Sequence, residues 1–457
     1  MNIRLTLRIL GGLLIFLGVM LLLPIPFSLT APRPNSWHDG ALFAFVISSV
    51  VTLVAGGGLA GLIKARGELT HREGFCIVTF GWLGFALFGS LPLLFANVTG
   101  VDNLADALFE AMSGFTTTGS TTIVGLDSQP PSVLFWRAMT QWLGGMGIIV
   151  LSLAILPFLR VGGMQLFEAE VPGPTKDRLS PRIQDTARVL WGVYILLTAA
   201  QTLLLRMGGM TWFEALCHAF TTMSTGGFST EDASLAAFGP AAQWIVVVFM
   251  FLAGVNASLY YYALRGDLRP FRRSDEFRFY LAITVAASLL VALLVFCRSP
   301  GPASLGTTLR DATFQCVSLL TTTGYVTADY ERWPAMAQYV LVALMFIGGC
   351  AGSTAGGIKV VRLSLLIKHA FIQLRVLIHP REVRTLRLDH KPVSREVIQS
   401  VLGFFALFMM VLLIGSLILA GLLPAHPDGS IDMVTAGTAV LSALGNVGPG
   451  LGTVGPT

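Results

Sequence analysis

Four times along this chain, a short segment of mixed polarity ends in a turn of threonine, serine and glycine, with long apolar stretches on both sides. The four turns occupy 116–120 (TTTGS), 223–227 (MSTGG), 321–325 (TTTGY) and 445–449 (GNVGP). Aligned on Gly119, Gly226, Gly324 and Gly448, successive turns lie 107, 98 and 124 residues apart. Such a repeat constrains the fold, because one chain can then place four related turns around one axis.

The composition identifies a membrane protein. Hydrophobic residues make up 54% of the chain and charged residues 12%, and the mean hydropathy is +0.73, which excludes a soluble globular domain. About 20 apolar residues span a bilayer core. Stretches of roughly that length lie near 9–29, 41–63, 74–96, 133–158, 187–207, 241–264, 279–297, 335–378 and 396–423.

Charge placement predicts the orientation. With residue 1 in the cytoplasm and one crossing per stretch, 24 of the 30 basic residues fall on the inside, while acidic residues divide into 12 inside and 13 outside. This bias follows the positive-inside rule. Arg4 and Arg8 before the first apolar run are also compatible with a signal peptide, but without a convincing cleavage site we expect a retained helix.

Each turn is preceded by a segment of ten to thirteen residues that is too short to cross a bilayer, which predicts re-entrant helices. The predicted short helices are 103–115, 212–222, 308–320 and 432–444. Acidic residues are expected near their N-termini, where they stabilise the positive end of the helix dipole. The negative C-terminal ends then point at the turns, where they favour a cation. These acidic residues are Asp106, Glu110, Glu214, Asp311 and Asp432.

The turns predict an ion filter lined by oxygen atoms. Glycine adopts cheaply the backbone torsions that aim successive carbonyls at one axis, and backbone oxygens replace the hydration shell of a monovalent cation. The non-glycine positions differ between turns, which predicts a less symmetrical filter than that of a tetramer. The candidate ion-binding residues are Thr116, Thr117, Thr118, Gly119, Ser224, Thr225, Gly226, Thr321, Thr322, Thr323, Gly324, Asn446, Val447 and Gly448.

Five motifs carry a family resemblance: FTTTGSTT (115–122), TTMSTGGFST (221–230), TTTGYVTAD (321–329), GNVGPGLG (445–452) and GGCAGSTAGGIKVVR (348–362). The chain resembles the bacterial Trk branch of the Trk/Ktr/HKT superfamily of potassium transporters. The resemblance implies an all-α polytopic membrane protein with four tandem span, pore-helix, filter and span repeats around a pseudo-fourfold pore. The implied boundaries are an N-terminal two-helix hairpin at 1–70 and pore repeats at 71–165, 180–270, 275–380 and 390–457.

The resemblance also implies function. It predicts K⁺ uptake across the bacterial cytoplasmic (inner) membrane, with K⁺ as the transported ion and no organic cofactor in this chain. It implies a homodimer in the membrane and a cytosolic ring of nucleotide-binding regulatory subunits. Gly119 maps onto the filter glycine whose replacement by serine accompanies Na⁺ preference in plant relatives, so it favours K⁺ over Na⁺.

The stretch 335–378 is too long for one span, and glycines interrupt it midway. Each glycine costs about 1 kcal/mol relative to alanine inside a helix, so the helix should unwind here, and the resemblance identifies this segment as an intramembrane gate. Lys359 either lies near the pore or extends to the cytoplasmic interface. The gate residues are Gly348, Gly349, Gly352, Ser353, Thr354, Gly356, Gly357 and Lys359.

Two other classes of function stay open. A secondary transporter coupled to H⁺ or Na⁺ uses broken helices at the midplane, but it predicts two inverted halves, whereas the four units read in the same order. A multispan enzyme requires clustered His, Cys, Asp or Glu, and the sequence has no such cluster. The chain stops at Thr457, nine residues after Gly448, so we expect the second span of the fourth repeat to be missing, with nine spans instead of ten.

Overall fold

A computed structural model describes residues 2–29, 40–63, 71–147, 183–298, 304–380, 385–389, 391–423 and 432–455. Within these ranges the regular secondary structure is helical apart from one short antiparallel hairpin, in which Arg387 pairs with Pro392 and Leu388 with Lys391. The predicted all-α class is confirmed. The second half of the predicted stretch 133–158 and the end of the first predicted repeat lie outside the described residues.

The longer helices carry the apolar sequence. They are Ile3–Met20, Gly40–Leu62, His71–Gly89, Pro131–Gly145, Ile183–Met207, Pro240–Ala253, Asp275–Arg298, Ala335–Ile347, Val360–Ile378 and Arg395–Leu422. Short helices at Ile25–Leu29, Leu91–Phe95, Ala257–Leu264 and Arg269–Arg273 extend or connect them. Six helices in the described ranges are long and apolar enough to cross a membrane, or seven if Pro240–Ala253 and Ala257–Leu264 form one bent span. This confirms a polytopic protein.

The chain groups into two compact units. Unit 1 comprises Met1–Val171 and Arg178–Ile245, and unit 2 comprises Pro172–Asp177 and Val246–Thr457. Unit 1 contains the first two turns and unit 2 the last two. The boundaries of the five predicted segments stay predictions.

In unit 1, the first two long helices pack closely through small residues. A Cβ on Gly11 would lie 2.6 Å from the backbone nitrogen of Ala60, and a Cβ on Gly56 would lie 2.7 Å from that of Ile15. The Ser49 hydroxyl donates to the Gly18 carbonyl at 2.7 Å. Small residues that let two backbones approach are typical of helix pairs in membranes, so this hairpin is a packed element of the fold.

The predicted span 241–264 is not one continuous helix, because the helix ends at Ala253 and resumes at Ala257 with a bend of 99°. Asn256 caps the second piece, since its side-chain oxygen accepts from the Ser258 backbone at 2.9 Å. A Cβ on Gly254 would lie 2.4 Å from the Tyr280 hydroxyl. Glycine and an amide cap break a helix at this point, and the apolar flanks hid the break in the sequence.

The four short helices before the turns are confirmed and are called turn helices 1 to 4: Leu104–Phe115, Trp212–Met223, Leu305–Leu320 and Met433–Gly445. Asp106 lies in the first turn of turn helix 1, Glu214 completes a capping box with Thr211, and Asp432 caps turn helix 4. The prediction is wrong for Glu110 and Asp311, which are each the seventh residue of their helices, too far from the N-terminus to act as caps.

Candidate functional site

All four turns close with the same backbone hydrogen bond. The amides of Thr118, Gly226, Thr323 and Val447 each donate to the carbonyl five residues earlier in the turn helix, at 2.8 to 2.9 Å. The accepting residues are Ser113, Thr221, Ser318 and Ser442. Because one local geometry recurs in four places, the repeat read from the sequence is a repeat of backbone conformation.

The backbone torsions correct the alignment of the second turn. Each turn has two residues with positive φ, separated by one residue. These pairs are Thr117 and Gly119, Thr225 and Gly227, Thr322 and Gly324, and Asn446 and Gly448. Gly227 therefore occupies the position of Gly119, and the alignment on Gly226 is wrong by one residue. The glycine doublet in the sequence offered two registers, and the backbone torsions select the one at Gly227.

Hydroxyl groups of the turn helices brace the turns from behind. Ser113 donates to the Ser120 carbonyl at 2.5 Å, and Ser318 donates to the Tyr325 carbonyl at 2.7 Å. Ser442 donates to the Gly448 carbonyl at 2.7 Å. These bonds hold the chain immediately after or at the glycine, so the turn is fixed at both ends.

In turn helices 1 and 2, a second side chain braces the segment after the turn. These residues are Glu110 and His218, which lie three residues, about one helical turn, before Ser113 and Thr221. Glu110 accepts from the Thr121 hydroxyl at 2.9 and 3.0 Å. His218 pairs with the Ser229 hydroxyl at 3.0 Å and with the Glu214 carbonyl at 2.8 Å. Because a carbonyl only accepts, Nδ1 of His218 carries the proton and Nε2 accepts.

Within each unit, a glycine of one turn lies against a carbonyl of the next. A Cβ on Gly119 would lie 2.1 Å from the Gly226 carbonyl oxygen, and a Cβ on Gly324 would lie 2.2 Å from the Val447 carbonyl oxygen. Both glycines also have positive φ. Two independent constraints, space and torsion, therefore require glycine at these positions.

Gln141 holds the second turn on both sides of Gly227. Its amide nitrogen donates to the Gly226 carbonyl at 2.7 Å, and its amide oxygen accepts from the Phe228 backbone at 3.0 Å. Gln141 is completely buried. The sequence contained this residue without a signal for its role.

Arg137, one helical turn before Gln141, forms a buried ion pair with Glu110 at 2.7 Å, and their side chains are 2% and 0% exposed. Arg137 also donates to the Ser229 carbonyl at 3.2 Å and to the Thr121 hydroxyl at 3.1 Å. Its guanidinium lies 4.1 Å from the Phe228 ring centroid. Because Thr121 follows turn 1 and Ser229 follows turn 2, Arg137 joins the two braces.

In unit 2, the helix ending at Ile347 is followed by an irregular segment, 348–359, called here the glycine loop. The predicted break is confirmed. Gly348, Gly352, Gly357 and Lys359 have positive φ, and the next helix starts at Val360. The amides of Ile358 and Lys359 donate to the carbonyls of Phe346 and Ile347, so the two ends of the loop lie side by side.

The glycine loop is hydrogen bonded to the third and fourth turns. The Gly356 amide donates to the Thr322 hydroxyl at 2.6 Å, and the Gly357 amide donates to the Gly445 carbonyl at 2.8 Å. Gly445 ends turn helix 4. The loop therefore lies directly against these two turns.

The other side of the loop is attached to the broken helix. The Cys350 amide donates to the Gly254 carbonyl at 2.8 Å, and the Ala257 amide donates to the Gly352 carbonyl at 3.1 Å. Glu276, which is buried, accepts from the Ala351 amide at 2.6 Å. The two interruptions of helical structure thus satisfy each other's backbone groups, which is how irregular backbone is tolerated in a membrane.

Lys359 ends the glycine loop, and its side chain folds back onto the loop. The residue is 6% exposed, and its ammonium donates to the Ala355 carbonyl within the loop. The carbonyl of the loop offsets part of the cost of burying the charge, and the position of Lys359 relative to the pore and the interface stays a prediction.

Three comparisons identify the family. A family model described as "TrkH: Cation transport protein" matches residues 41–456. The Trk system potassium uptake protein TrkH of Salmonella typhimurium is 40% identical over 458 residues, which cover 99% of this chain and 92% of that protein. TrkG of Escherichia coli K12, also named a Trk system potassium uptake protein, is 35% identical over 420 residues, covering 91% and 84%.

The fold has a counterpart among solved structures. The crystal structure of the potassium transporter TrkH from Vibrio parahaemolyticus superposes with a TM-score of 0.86 and 37% sequence identity, covering 99% of this chain and 92% of that one. The family is one of transporters and not of enzymes, which removes the multispan enzyme as an alternative. The chain belongs to the TrkH family of cation transport proteins.

Proposed function

We propose that this protein takes up potassium across the bacterial cytoplasmic membrane, with the four turns forming a selectivity filter around a pseudo-fourfold pore. The observation that carries the proposal is the shared backbone of the turns, in which residues of positive φ alternate with residues of ordinary φ. Alternation of this kind turns successive carbonyls towards one side of the chain. Carbonyls aligned in this way replace the hydration shell of K⁺.

The bound ion in this proposal is K⁺ itself, which is the transported substrate. The ligands are backbone carbonyls and hydroxyl oxygens of the four turns. In turn 2 the residue that corresponds to Gly119 is Gly227 and not Gly226. The turn helices assist, because the negative ends of their dipoles point at the turns. Asp106, Glu214 and Asp432 at the opposite ends complement the positive ends.

The glycine loop is the proposed gate. Its hydrogen bonds to Thr322 and Gly445 place it against two of the four turns, and its five glycines allow it to change shape. Lys359, held on the loop, adds a positive charge that opposes the passage of cations. Movement of the loop would open the pathway on this side.

The assembly follows from the same proposal. We propose a homodimer with a cytoplasmic N-terminus and a cytosolic ring of nucleotide-binding regulatory subunits. In unit 2, the Asp275 carboxylate accepts from Lys368 at 3.2 Å and from the Asp389 amide at 3.2 Å, and the Asp275 amide donates to the Asp389 carboxylate at 2.6 Å. A fixed surface of this kind is suited to docking a regulatory subunit.

Growth of a bacterium that lacks its own potassium uptake systems tests the function. Expression of this chain should restore growth at low external potassium, and removal of the four turn helices as a control should not. If the chain is present in the membrane and growth still requires high potassium, the proposed function is contradicted.

A further inference from the structure

Turn 2 differs from the other three turns at one residue position. The position just before the second residue of positive φ is Thr118 in turn 1, Thr323 in turn 3 and Val447 in turn 4, but Gly226 in turn 2. A Cβ on Gly226 would lie 2.3 Å from the side-chain amide carbon of Gln141. The space that a side chain occupies in the other turns is therefore filled in turn 2 by the Gln141 amide.

The orientation of that amide is fixed by its two partners. One partner is a carbonyl, at Gly226, and the other is a backbone N–H, at Phe228. A carbonyl requires the NH₂ end and an N–H requires the oxygen end, so only one orientation satisfies both. The Gly226 carbonyl is thereby held between Gln141 and the site where Gly119 leaves room for it.

The third repeat has no equivalent amide. Aligning the glycine pair Gly144-Gly145 with Gly348-Gly349 places Met345 opposite Gln141 and Leu341 opposite Arg137. Both are buried and apolar. A methionine does not donate a hydrogen bond, so in turn 4 the Val447 carbonyl is not held in this way by the aligned residue.

Arg137 and Glu110 restrain the helix that carries Gln141. Arg137 precedes Gln141 by four residues and lies on the same helix face. Its hydrogen bonds to Thr121 and Ser229 tie that face to the segments that follow turns 1 and 2. A side chain locked by buried neighbours is pre-organised, which lets it hold a ligand in one geometry.

From these observations we infer that Gln141 is a selectivity-determining positioning residue, which sets the direction of the Gly226 carbonyl and so makes turn 2 distinct within the filter. The inference rests on the proposed function, because it concerns which ions the four turns accept. Without the amide, the carbonyl adopts more than one direction and the filter discriminates less between K⁺ and the smaller Na⁺.

The test is the ratio of K⁺ to Na⁺ flux through purified protein in liposomes, measured for Gln141→Met. Methionine has similar length and occurs at the aligned position of the third repeat. We expect K⁺ flux to persist and the ratio to fall about fivefold, which corresponds to about 1 kcal/mol, the usual contribution of one hydrogen bond. An unchanged ratio with K⁺ flux retained overturns the inference.

Gln243→Met is the matched control. Gln243 is also buried in unit 1, but its amide donates to the carbonyls of Leu235 and Phe238, away from the turns. This variant should keep the wild-type ratio, and a fall equal to that of Gln141→Met would overturn the inference, because any lost buried amide would then have the same effect.

Gln141→Asn provides a second variant. It keeps an amide but withdraws it by one methylene, so it should also lower the ratio. If neither variant yields folded protein, Gln141 serves folding and the inference is overturned. Absence of K⁺ flux in the wild-type protein is a different result, since it contradicts the proposed function itself.

Discussion

Gly119 is required by space as well as by torsion. Its φ of +86° favours glycine, and the nearest atom to an added Cβ is the Gly226 carbonyl oxygen at 2.1 Å. Real Cβ atoms do not come that close to backbone, so any side chain at this position displaces the carbonyl of the neighbouring turn. A change at one turn therefore alters the geometry of two.

Gly119→Ser should lower the ratio of K⁺ to Na⁺ flux by about tenfold. The reason is that the left-handed torsion costs a residue with a Cβ roughly 1–2 kcal/mol, in addition to the displaced carbonyl. The measurement is flux through purified protein in liposomes. Gly437→Ala in turn helix 4 is the control, because an added Cβ there meets no atom within 4 Å, and it should leave the ratio unchanged. An unaltered ratio in Gly119→Ser would remove this glycine from the filter.

The buried pair Glu110 and Arg137 predicts a large loss of stability when one partner is removed. Glu110→Gln leaves the arginine charge buried without its counterion, which costs about 3–5 kcal/mol. Thermal unfolding in detergent should show a clear drop in midpoint. Asp311→Asn is the control, since Asp311 and its partner Arg310 are each 19% exposed and a partly exposed pair contributes about 1 kcal/mol or less. Equal effects would contradict the role assigned to the buried pair.

Residue by residue, the sequence predicted the turns well and their supporting groups poorly. The glycines and threonines were found because the motif repeats. Gly227 was missed, although the hydroxyl residue six positions before each glycine (113, 221, 318 and 442) would have selected it. Gln141 and Arg137 belong to no motif that recurs in the other repeats, so the repeat did not point to them. Their hydrogen bonds reach residues in and after turn 2 that lie about 85 to 92 positions away in the sequence.

Among the elements, the glycine loop and the broken helix stabilise each other. Cys350 donates to the Gly254 carbonyl, and Ala257 donates to the Gly352 carbonyl. Five glycines in ten residues made the loop visible in the sequence. The break at 254–256 was not visible, because one glycine and one asparagine between apolar runs are also compatible with a continuous helix.

Glu276 offers a test of the gate. Glu276→Met removes the acceptor of the Ala351 amide, and leaving a buried donor without a partner costs roughly 1–3 kcal/mol. The closed loop should lose stability, so basal K⁺ flux should rise by about tenfold or more. Glu276→Gln keeps an oxygen acceptor at the same reach and should behave more nearly like wild type. Basal flux that is no higher in the methionine variant would contradict the gate.

For the whole molecule, the sequence predicted the fold class because the constraints act along the entire chain. Apolar stretches near bilayer length, charge asymmetry and the fourfold turn all agree, and each involves many residues. The family match over 41–456 and the TM-score of 0.86 support the same architecture. Details that depend on a single side chain meeting a distant backbone group could not be read in the same way.

In the proposed function, four turns of shared backbone geometry form a potassium filter. The most direct measurement is ion flux through purified wild-type protein reconstituted in liposomes, with K⁺ and Na⁺ compared at matched gradients. We expect saturable K⁺ flux well above that of empty liposomes and a lower flux of Na⁺. K⁺ flux no greater than in empty liposomes, or equal flux of both ions, would contradict the proposed function.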